Sequence, residues 1–274
     1  MAFKQALGLF LFGLVFSLML NTRALAQVNT AEPDFWVLTS LEPPFSLRNE
    51  RGQLEGYLIE VVQGILAEAD IQQEILAAPW ERLIQESKNK PNVLVFPLAR
   101  TPEREEDFHW VLPLTSNVYG VLGNPLSDKP IATLSDVNNV TPIGVLESDF
   151  RHKVLIAENI RGVAPYDDYD SAVSHLLAGK LRSLFFPMRV CVIFALSKTQ
   201  IARVSELLYQ YDVLTSYIAM SKNSDTRHID KLNAAAERFL NSAEFHRIQQ
   251  NWLTRLQEQG PFKLHIENGV LNLW

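Results

Sequence analysis

The chain of 274 residues has few of the sequence features that indicate disulfides, metal sites or a known catalytic motif. It has a single cysteine, Cys191, so no intramolecular disulfide can form and packing must hold the fold together. Its six histidines show no metal-ligand spacing. There is no G-x-S-x-G, no G-x-G-x-x-G and no phosphate-cradling glycine loop. We therefore expect neither a metal nor a cofactor.

One long apolar run is present, at the N-terminus. The basic start MAFK precedes an apolar stretch from Ala6 to Leu20, and Ala24-Leu25-Ala26 has the small-x-small pattern of a signal-peptidase site. Because the stretch is short for a bilayer span, residues 1–26 are predicted to be a removed signal peptide of an exported protein. The alternative is an uncleaved membrane anchor.

The charge balance is acidic. Removing residues 1–26 takes away Lys4 and Arg23 and no acid, which changes the formal charge from -6 to -8. A protein of this charge is a poor partner for nucleic acid or for an anionic membrane surface, so neither is expected.

Apolar strands and amphipathic helices alternate along the chain. This βαβ rhythm predicts an α/β fold with mostly parallel sheets. Strands are predicted at 35–40, 71–78, 93–96, 117–122, 141–146, 163–165, 181–186 and 216–220. The last two helices are predicted at 225–240 and 241–257, with Asn241 and Glu244 as a capping box. Asn268-Gly269 between two apolar runs predicts a C-terminal hairpin.

Two arginines follow the apolar strand 93–96. Arg100 and Arg104 lie just beyond its carboxyl end, where open α/β sheets bind ligands. A guanidinium there can hold a carboxylate through two parallel hydrogen bonds. The alternative is a solvated salt-bridge cluster with Glu103, Glu105 and Glu106.

An ordered set of motifs resembles the family 3 extracellular solute-binding proteins, which include periplasmic amino-acid-binding subunits of ABC transporters. These motifs are PPFS (43–46), GQLEGYLIEVV (52–62), PWERLIQ (79–85), ARTPERE (99–105), DFHWVLPL (107–114), IGVLESDF (143–150) and LLAGKL (176–181). The resemblance covers about residues 35–257. It implies a two-lobed fold of the type II periplasmic-binding-protein kind, each lobe a mostly parallel sheet flanked by helices, with a ligand cleft between them.

The resemblance also implies domain boundaries and site residues. Lobe 1 would comprise 27–116 and 217–258, lobe 2 would comprise 117–216, and 259–274 would be a hairpin-like extension. Arg104 would be the ligand-carboxylate arginine and Trp80 a stacking aromatic. The other predicted ligand-binding positions are Arg100, Glu42, Ser148, Asp149, Phe150 and Phe186. For Asp149 the alternative is a plain helix cap.

This sequence departs from the family's amino-acid-binding pattern at two places. Pro97 and Ala99 stand where small hydroxyl residues are usual, and Phe186-Pro187 stands where an acid binds the ligand's ammonium group. Glu42 could replace that acid from the other wall. We therefore expect a small carboxylate-bearing ligand other than a standard amino acid.

The leading hypothesis is a monomeric periplasmic solute-binding protein. It would close by hinge motion near 115–119 and 214–217 and pass its ligand to an ABC permease or a membrane sensor. One alternative is an enzyme on the same frame, similar to cyclohexadienyl dehydratase, with Glu42 or Glu147 as the acid. Another is an interaction module with a vestigial cleft that binds partners through residues 259–274.

Overall fold

A computed structural model describes residues 35–123, 131–187, 206–259 and 264–273 of the chain. The predicted signal peptide and Cys191 lie outside them. Residues Phe35–Trp274 form one compact unit.

Ten strands form one mixed sheet, and two more form a small hairpin. Sheet order is β4-β1-β5-β10-β6-β9-β7-β8, with β12 pairing β6 and β11 pairing β12. The strands are β1 (Trp36–Thr39), β2 (Leu47–Arg48), β3 (Leu54–Glu55), β4 (Ile75–Ala77), β5 (Val93–Ala99), β6 (Phe108–Gly123), β7 (Ile143–Leu146), β8 (Val163–Tyr166), β9 (Ser183–Pro187), β10 (Glu206–Ser221), β11 (Leu264–Glu267) and β12 (Val270–Leu273). The predicted α/β class is confirmed.

Six α-helices flank the sheet within the described residues. They are α1 (Tyr57–Glu68), α2 (Trp80–Asn89), α3 (Phe150–Ala157), α4 (Tyr169–Leu177), α5 (Thr226–Leu240) and α6 (Ala243–Gln257). Two 3₁₀ helices, Pro102–Asp107 and Leu134–Val140, lie between strands. None of the helices described has the combination of length and apolar character that crossing a membrane requires.

Two long strands connect the two parts of the sheet. β6 and β10 each have 16 residues and pair antiparallel from Phe108↔Ser221 to Gly123↔Glu206. The strands predicted at 117–122 and 216–220 are parts of them. Pro113 obscured the full length of β6, because a proline in a strand normally indicates its edge or a bulge. Here Pro113 pairs with Tyr217 beside such an irregularity.

The core lies on both faces of the sheet. The largest apolar cluster packs α1, α5 and α6 against one face, and Leu271 and Leu273 of β12 belong to it. A second cluster packs α2 against β5 on the other face. Two further clusters cover the two faces around β7 and β9. Fully buried β5 thus lies at the centre of the fold, and its end is held rigidly.

The C-terminal elements follow the predicted pattern with one correction. Ser242, not Asn241, is the N-cap of α6, and its hydroxyl accepts a hydrogen bond from the Phe245 N–H at 3.1 Å. Asn241 closes α5 instead, because the chain turns there before the second helix starts. The predicted hairpin forms with Asn268 and Gly269 at φ 50° and 76°, and β12 pairs with β6 at Thr115–Ser116.

Candidate functional site

The buried strand β5 delivers Arg104 into the interior. The chain leaves β5 at Ala99 and turns into the 3₁₀ helix Pro102–Asp107, which starts at a proline whose fixed φ suits a helix start. Arg104 is only 9% exposed. Its Nη1 donates a hydrogen bond to the carbonyl oxygen of Ala99 at 3.1 Å, which fixes the side chain against the end of the strand.

Two aromatic rings and one carboxylate surround the Arg104 guanidinium. The ring centroids of Trp80 and Phe150 lie 5.2 Å and 5.6 Å from its Cζ, as in cation–π contacts. An oxygen of Asp149 lies 3.6 Å from Nη2, which is longer than a charge-assisted hydrogen bond. Burial lowers the pKa of Arg104, and the nearby Asp149 opposes that effect.

Asp149 joins two arginines. It is the N-cap of α3 and accepts hydrogen bonds from the backbone N–H of Arg151 at 3.0 Å and from its Nε at 2.5 Å. Burial acts to raise the pKa of Asp149, but the charges of Arg151 and Arg104 outweigh it and hold that pKa below its usual value. Asp149 is therefore both the helix cap and an ionised member of what we call the buried ion cluster, formed by Arg104, Asp149 and Arg151.

Arg151 is a member of this cluster that sequence reasoning missed. It is 2% exposed, and its Nη2 donates to the hydroxyl of Tyr169 at 3.0 Å. A cation in the first turn of a helix faces the positive end of the helix dipole, so it needs an acidic partner. The unfavourable position of Arg151 near the start of a helix was the sequence feature that could have indicated a nearby acid. That acid is Asp149.

Glu42 lies near the same cluster. It is 8% exposed, in the turn that its backbone N–H closes by donating to the carbonyl oxygen of Ser46. Burial raises the pKa of Tyr119 and of Tyr169, and the charge of Glu42 adds to the rise at both. Because Tyr119 and Tyr169 also flank Arg151, Glu42 is the second acid of this region.

A cavity of about 260 Å³ opens beside Trp80, and we call it the apolar cavity. Its lining comes from the loop after β1, from β2, from the end of β4 through the start of α2, from the end of β7 and from the start of α4 with the loop before it. The lining residues are Ser40, Leu41, Arg48, Ala77, Ala78, Pro79, Trp80, Leu146, Asp167, Asp168 and Tyr169. The Nε1 of Trp80 is buried and has no hydrogen-bond partner among the described residues. A neighbouring cavity of about 210 Å³ is lined by Trp80 and Glu147 among others.

Two predicted site residues lie elsewhere. Arg100 is exposed, where its Nε donates to Glu105 at 2.8 Å and its guanidinium lies over the rings of Trp110 and Tyr217. The alternative of a solvated salt bridge with a neighbouring glutamate therefore applies to Arg100. It does not apply to Arg104, which is buried. Ser148 is also exposed, with its backbone N–H directed to His152 Nδ1 at 3.3 Å.

The remaining predicted residues come together. Trp80 and Phe150 flank Arg104, while Phe186 contacts the guanidinium of Arg151 at 5.9 Å. The described residues hold no group of histidine, cysteine, aspartate or glutamate that could bind a metal ion. The arrangement can hold an anionic group at Arg104 and a flat or apolar body against Trp80.

Comparisons with known proteins agree with this architecture. The sequence profile of the bacterial extracellular solute-binding proteins, family 3, matches residues 37–255. The chain is 19% identical over 229 residues to an arginine-binding periplasmic protein of Mannheimia haemolytica, covering 82% of this chain and 93% of that protein.

Two solved structures show the likeness in fold. A histidine kinase sensor domain with similarity to periplasmic binding proteins superposes with a TM-score of 0.70 at 14% identity, covering 80% of this chain and 96% of the other. The ancestral amino acid-binding protein AncCDT-1, a precursor of cyclohexadienyl dehydratase, gives a TM-score of 0.63 at 15% identity, covering 80% and 94%. The fold is thus that of type II periplasmic binding proteins. Since the profile match spans most of the sequence, this chain belongs to the family 3 bacterial extracellular solute-binding proteins.

Proposed function

We propose that this protein is a periplasmic solute-binding protein that captures a small carboxylate-bearing ligand at Arg104. The observation that carries the proposal is the state of Arg104 itself. Its guanidinium is buried between two aromatic rings, yet the described residues give it one hydrogen bond, to Ala99, and a carboxylate at 3.6 Å. A ligand carboxylate could provide the two short, parallel hydrogen bonds that this guanidinium lacks.

The ligand body would lie in the apolar cavity against Trp80. The cavity's apolar residues and the face of the indole ring suit an apolar or flat group, and its charged residues, Arg48, Asp167 and Asp168, are exposed to solvent. The unpaired Nε1 of Trp80 gives a polar substituent of the ligand one donor to bind. A micromolar affinity corresponds to about -8 kcal/mol, which one bidentate arginine and one stacked ring in a dry cleft can supply.

Entry of the ligand requires motion, which we place at the two long strands. Residues near 115–119 in β6 and near 214–217 in β10 would act as the hinge, because these strands connect the β5 side of the sheet to the β9 side. Opening would draw Asp149 and Phe150 away from Arg104 and Trp80. The closed form would then be presented to an ABC permease or to a membrane sensor.

We propose binding, not catalysis, as the activity. Glu42 is the acid that would have to act in an enzyme on this frame, because Glu147 is exposed whereas Glu42 is buried beside the two tyrosines. In the binding proposal the wild type forms no product, so Glu42→Gln has no turnover to lose. Product formation by the wild type from a bound ligand, lost in Glu42→Gln, would favour the enzyme.

A thermal-shift screen tests the proposal. Protein lacking residues 1–26 is screened against amino acids, dicarboxylates, aromatic acids and small peptides. A ligand that binds only the folded state stabilises it by about 2.7 kcal/mol at a hundredfold excess over its dissociation constant. We expect a carboxylate hit whose effect disappears in Arg104→Ala. A hit of equal size in Arg104→Ala would contradict the proposed site.

A further inference from the structure

The guanidinium of Arg151 is enclosed as a bound cation would be. Its side chain is 3% exposed, and one carboxylate, that of Asp149, contacts its Nε at 2.5 Å. Four aromatic rings surround it with centroids 5.5 to 5.9 Å from Cζ, and we call them the aromatic cage. They are Tyr119, Phe150, Tyr169 and Phe186. Several rings around a cation, with an acid at one side, form a recognised kind of cation-binding site.

The aromatic cage adjoins the proposed ligand site. The ring of Phe150 lies 5.6 Å from the guanidiniums of both Arg104 and Arg151, so it contacts both cations. Tyr169 accepts the hydrogen bond from Arg151 Nη2 and also lines the apolar cavity. A ligand held at Arg104 with its body in the apolar cavity would therefore lie directly against the cage.

The carboxylate in contact with these two cations is already shared. Asp149 contacts both Arg104 and Arg151, so it is not left for a third cation. The two acids that line the apolar cavity, Asp167 and Asp168, are exposed to solvent, where an ion pair contributes little. The unpaired polar atoms of this region are hydrogen-bond donors. Nη1 of Arg151 and Nε1 of Trp80 are buried and have no acceptor among the described residues. Such a site disfavours a cationic ligand and favours hydrogen-bond acceptors.

We infer that Arg151 is a built-in occupant of the ligand site that determines the class of ligand. It fills the place where a cationic group would bind, so the protein accepts a carboxylate with an uncharged body and rejects ligands with a guanidinium or ammonium side chain. The part about the carboxylate rests on the proposed function. The occupancy of the cage by Arg151 does not, and it can be tested separately.

The test of occupancy uses Arg151→Ala and ethylguanidinium. This probe contains the atoms that the substitution removes beyond the β-carbon and has no carboxylate, so its binding does not depend on Arg104. We expect ethylguanidinium at low millimolar concentration to raise the melting temperature of Arg151→Ala. It should bind this variant about tenfold or more tightly than the wild type, because desolvated cation–π contacts contribute that much. Ethylammonium at equal concentration controls for salt and charge.

Arg227→Ala is the matched control. Asp225 caps α5 and accepts from the Arg227 backbone N–H at 2.9 Å, so the local sequence pattern is the same, but the Arg227 side chain is 88% exposed. Ethylguanidinium should leave Arg227→Ala and the wild type unchanged. An equal effect on all three proteins, or an equal effect of ethylammonium, would overturn the inference. A melting temperature of Arg151→Ala equal to that of the wild type would also overturn the inference.

A further arm covers the case in which Arg151→Ala does not fold alone. Refolding in the presence of ethylguanidinium should then recover folded protein, whereas Arg151→Met, whose chain refills the cage, should fold and show no response to the probe. No recovery of Arg151→Ala while Arg151→Met folds would contradict the inference.

The ligand class is tested on the wild type with arginine and citrulline, which differ in charge but little in shape. Citrulline should stabilise the wild type at least as much as arginine does. In Arg151→Ala, arginine should stabilise the fold more than citrulline does. Stabilisation of the wild type by arginine over citrulline would refute the inference while leaving the proposed function intact. Conversely, if no carboxylate binds the wild type, the proposed function fails while the ethylguanidinium result still stands.

Discussion

Arg104 and Asp149 face each other with 3.6 Å between Nη2 and Oδ2, one at the end of β5 and the other at the start of α3. The contact joins the part of the sheet around β5 to the part around β7. It is longer than a direct charge-assisted hydrogen bond, and Asp149 is bound more tightly to Arg151. Arg104 is therefore the member of the buried ion cluster whose interactions are the least complete.

Asp149→Asn should destabilise the fold strongly. The substitution leaves two buried guanidiniums without a carboxylate, and removing one partner of a buried ion pair costs about 3–5 kcal/mol. Asp225→Asn is the control, because Asp225 makes the same cap on α5 at the surface and asparagine caps a helix about as well, so the substitution should cost less than about 1 kcal/mol. Urea unfolding of both variants measures the difference, and equal losses would contradict the assigned role of the cluster.

Stability should fall at acid pH through Asp149. Its pKa in the folded protein is held below the value of about 3.9 that a free aspartate has, so its contribution is present above that value. The contribution is lost as pH falls through the lower folded-state pKa, where the carboxylate is protonated. The stability gap between wild type and Asp149→Asn should thus be constant from about pH 5 to 7 and narrow as the pH falls below about 3.9. A stability difference that does not change with pH would show that the charge of Asp149 does not stabilise the fold.

The C-terminal hairpin should be part of the core. Leu271 is fully buried in the largest apolar cluster, so Leu271→Ala should cost about 2–5 kcal/mol. Leu76→Ala in β4 provides the control, because that side chain is 37% exposed and its truncation should cost much less. Chemical denaturation checks both. Similar small effects would mean that the hairpin is not packed, and would favour the alternative in which residues 259–274 serve as a contact surface.

Trp80 should act through its ring and not through its N–H in the unliganded protein. Its Nε1 is buried without an acceptor among the described residues, so Trp80→Phe loses no hydrogen bond and should destabilise the fold only through the packing of a smaller ring, by less than Trp80→Ala does. Trp80→Ala should lose ligand affinity by removing the stacked face beside Arg104. Thermal melts and ligand titration of the two variants separate these effects. Destabilisation by Trp80→Phe as large as that by Trp80→Ala would contradict the claim that the N–H contributes nothing.

Local sequence patterns were enough for the order of elements, and the family resemblance distinguished Arg104 from Arg100. Alternating apolar segments predicted the α/β class, and the position of Arg104 beyond a buried strand was visible because β5 is apolar along its whole length. The Asn-Gly turn likewise fixed the hairpin.

The sequence could not show which charges are buried. Asp149-Phe150-Arg151 and Asp225-Thr226-Arg227 carry the same Asp-x-Arg pattern at a helix start, yet the first is enclosed by four rings and the second is at the surface. Only the packing of distant elements decides between them. The same holds for Arg100 and Arg104, four positions apart in the sequence: Arg100 pairs with Glu105 at the surface, whereas Arg104 is buried.

The claim that Arg104 holds the ligand is tested by a calorimetric titration. The carboxylate found in the thermal-shift screen is titrated into the wild type, Arg104→Ala and Arg100→Ala. The two variants remove the same side chain from neighbouring positions, one buried and one exposed. We predict that Arg100→Ala binds as the wild type does. Arg104→Ala should bind at least about a hundredfold more weakly, because a charge-assisted bidentate contact contributes roughly 3 kcal/mol. Equal affinities of Arg104→Ala and the wild type would contradict the claim that Arg104 holds the ligand.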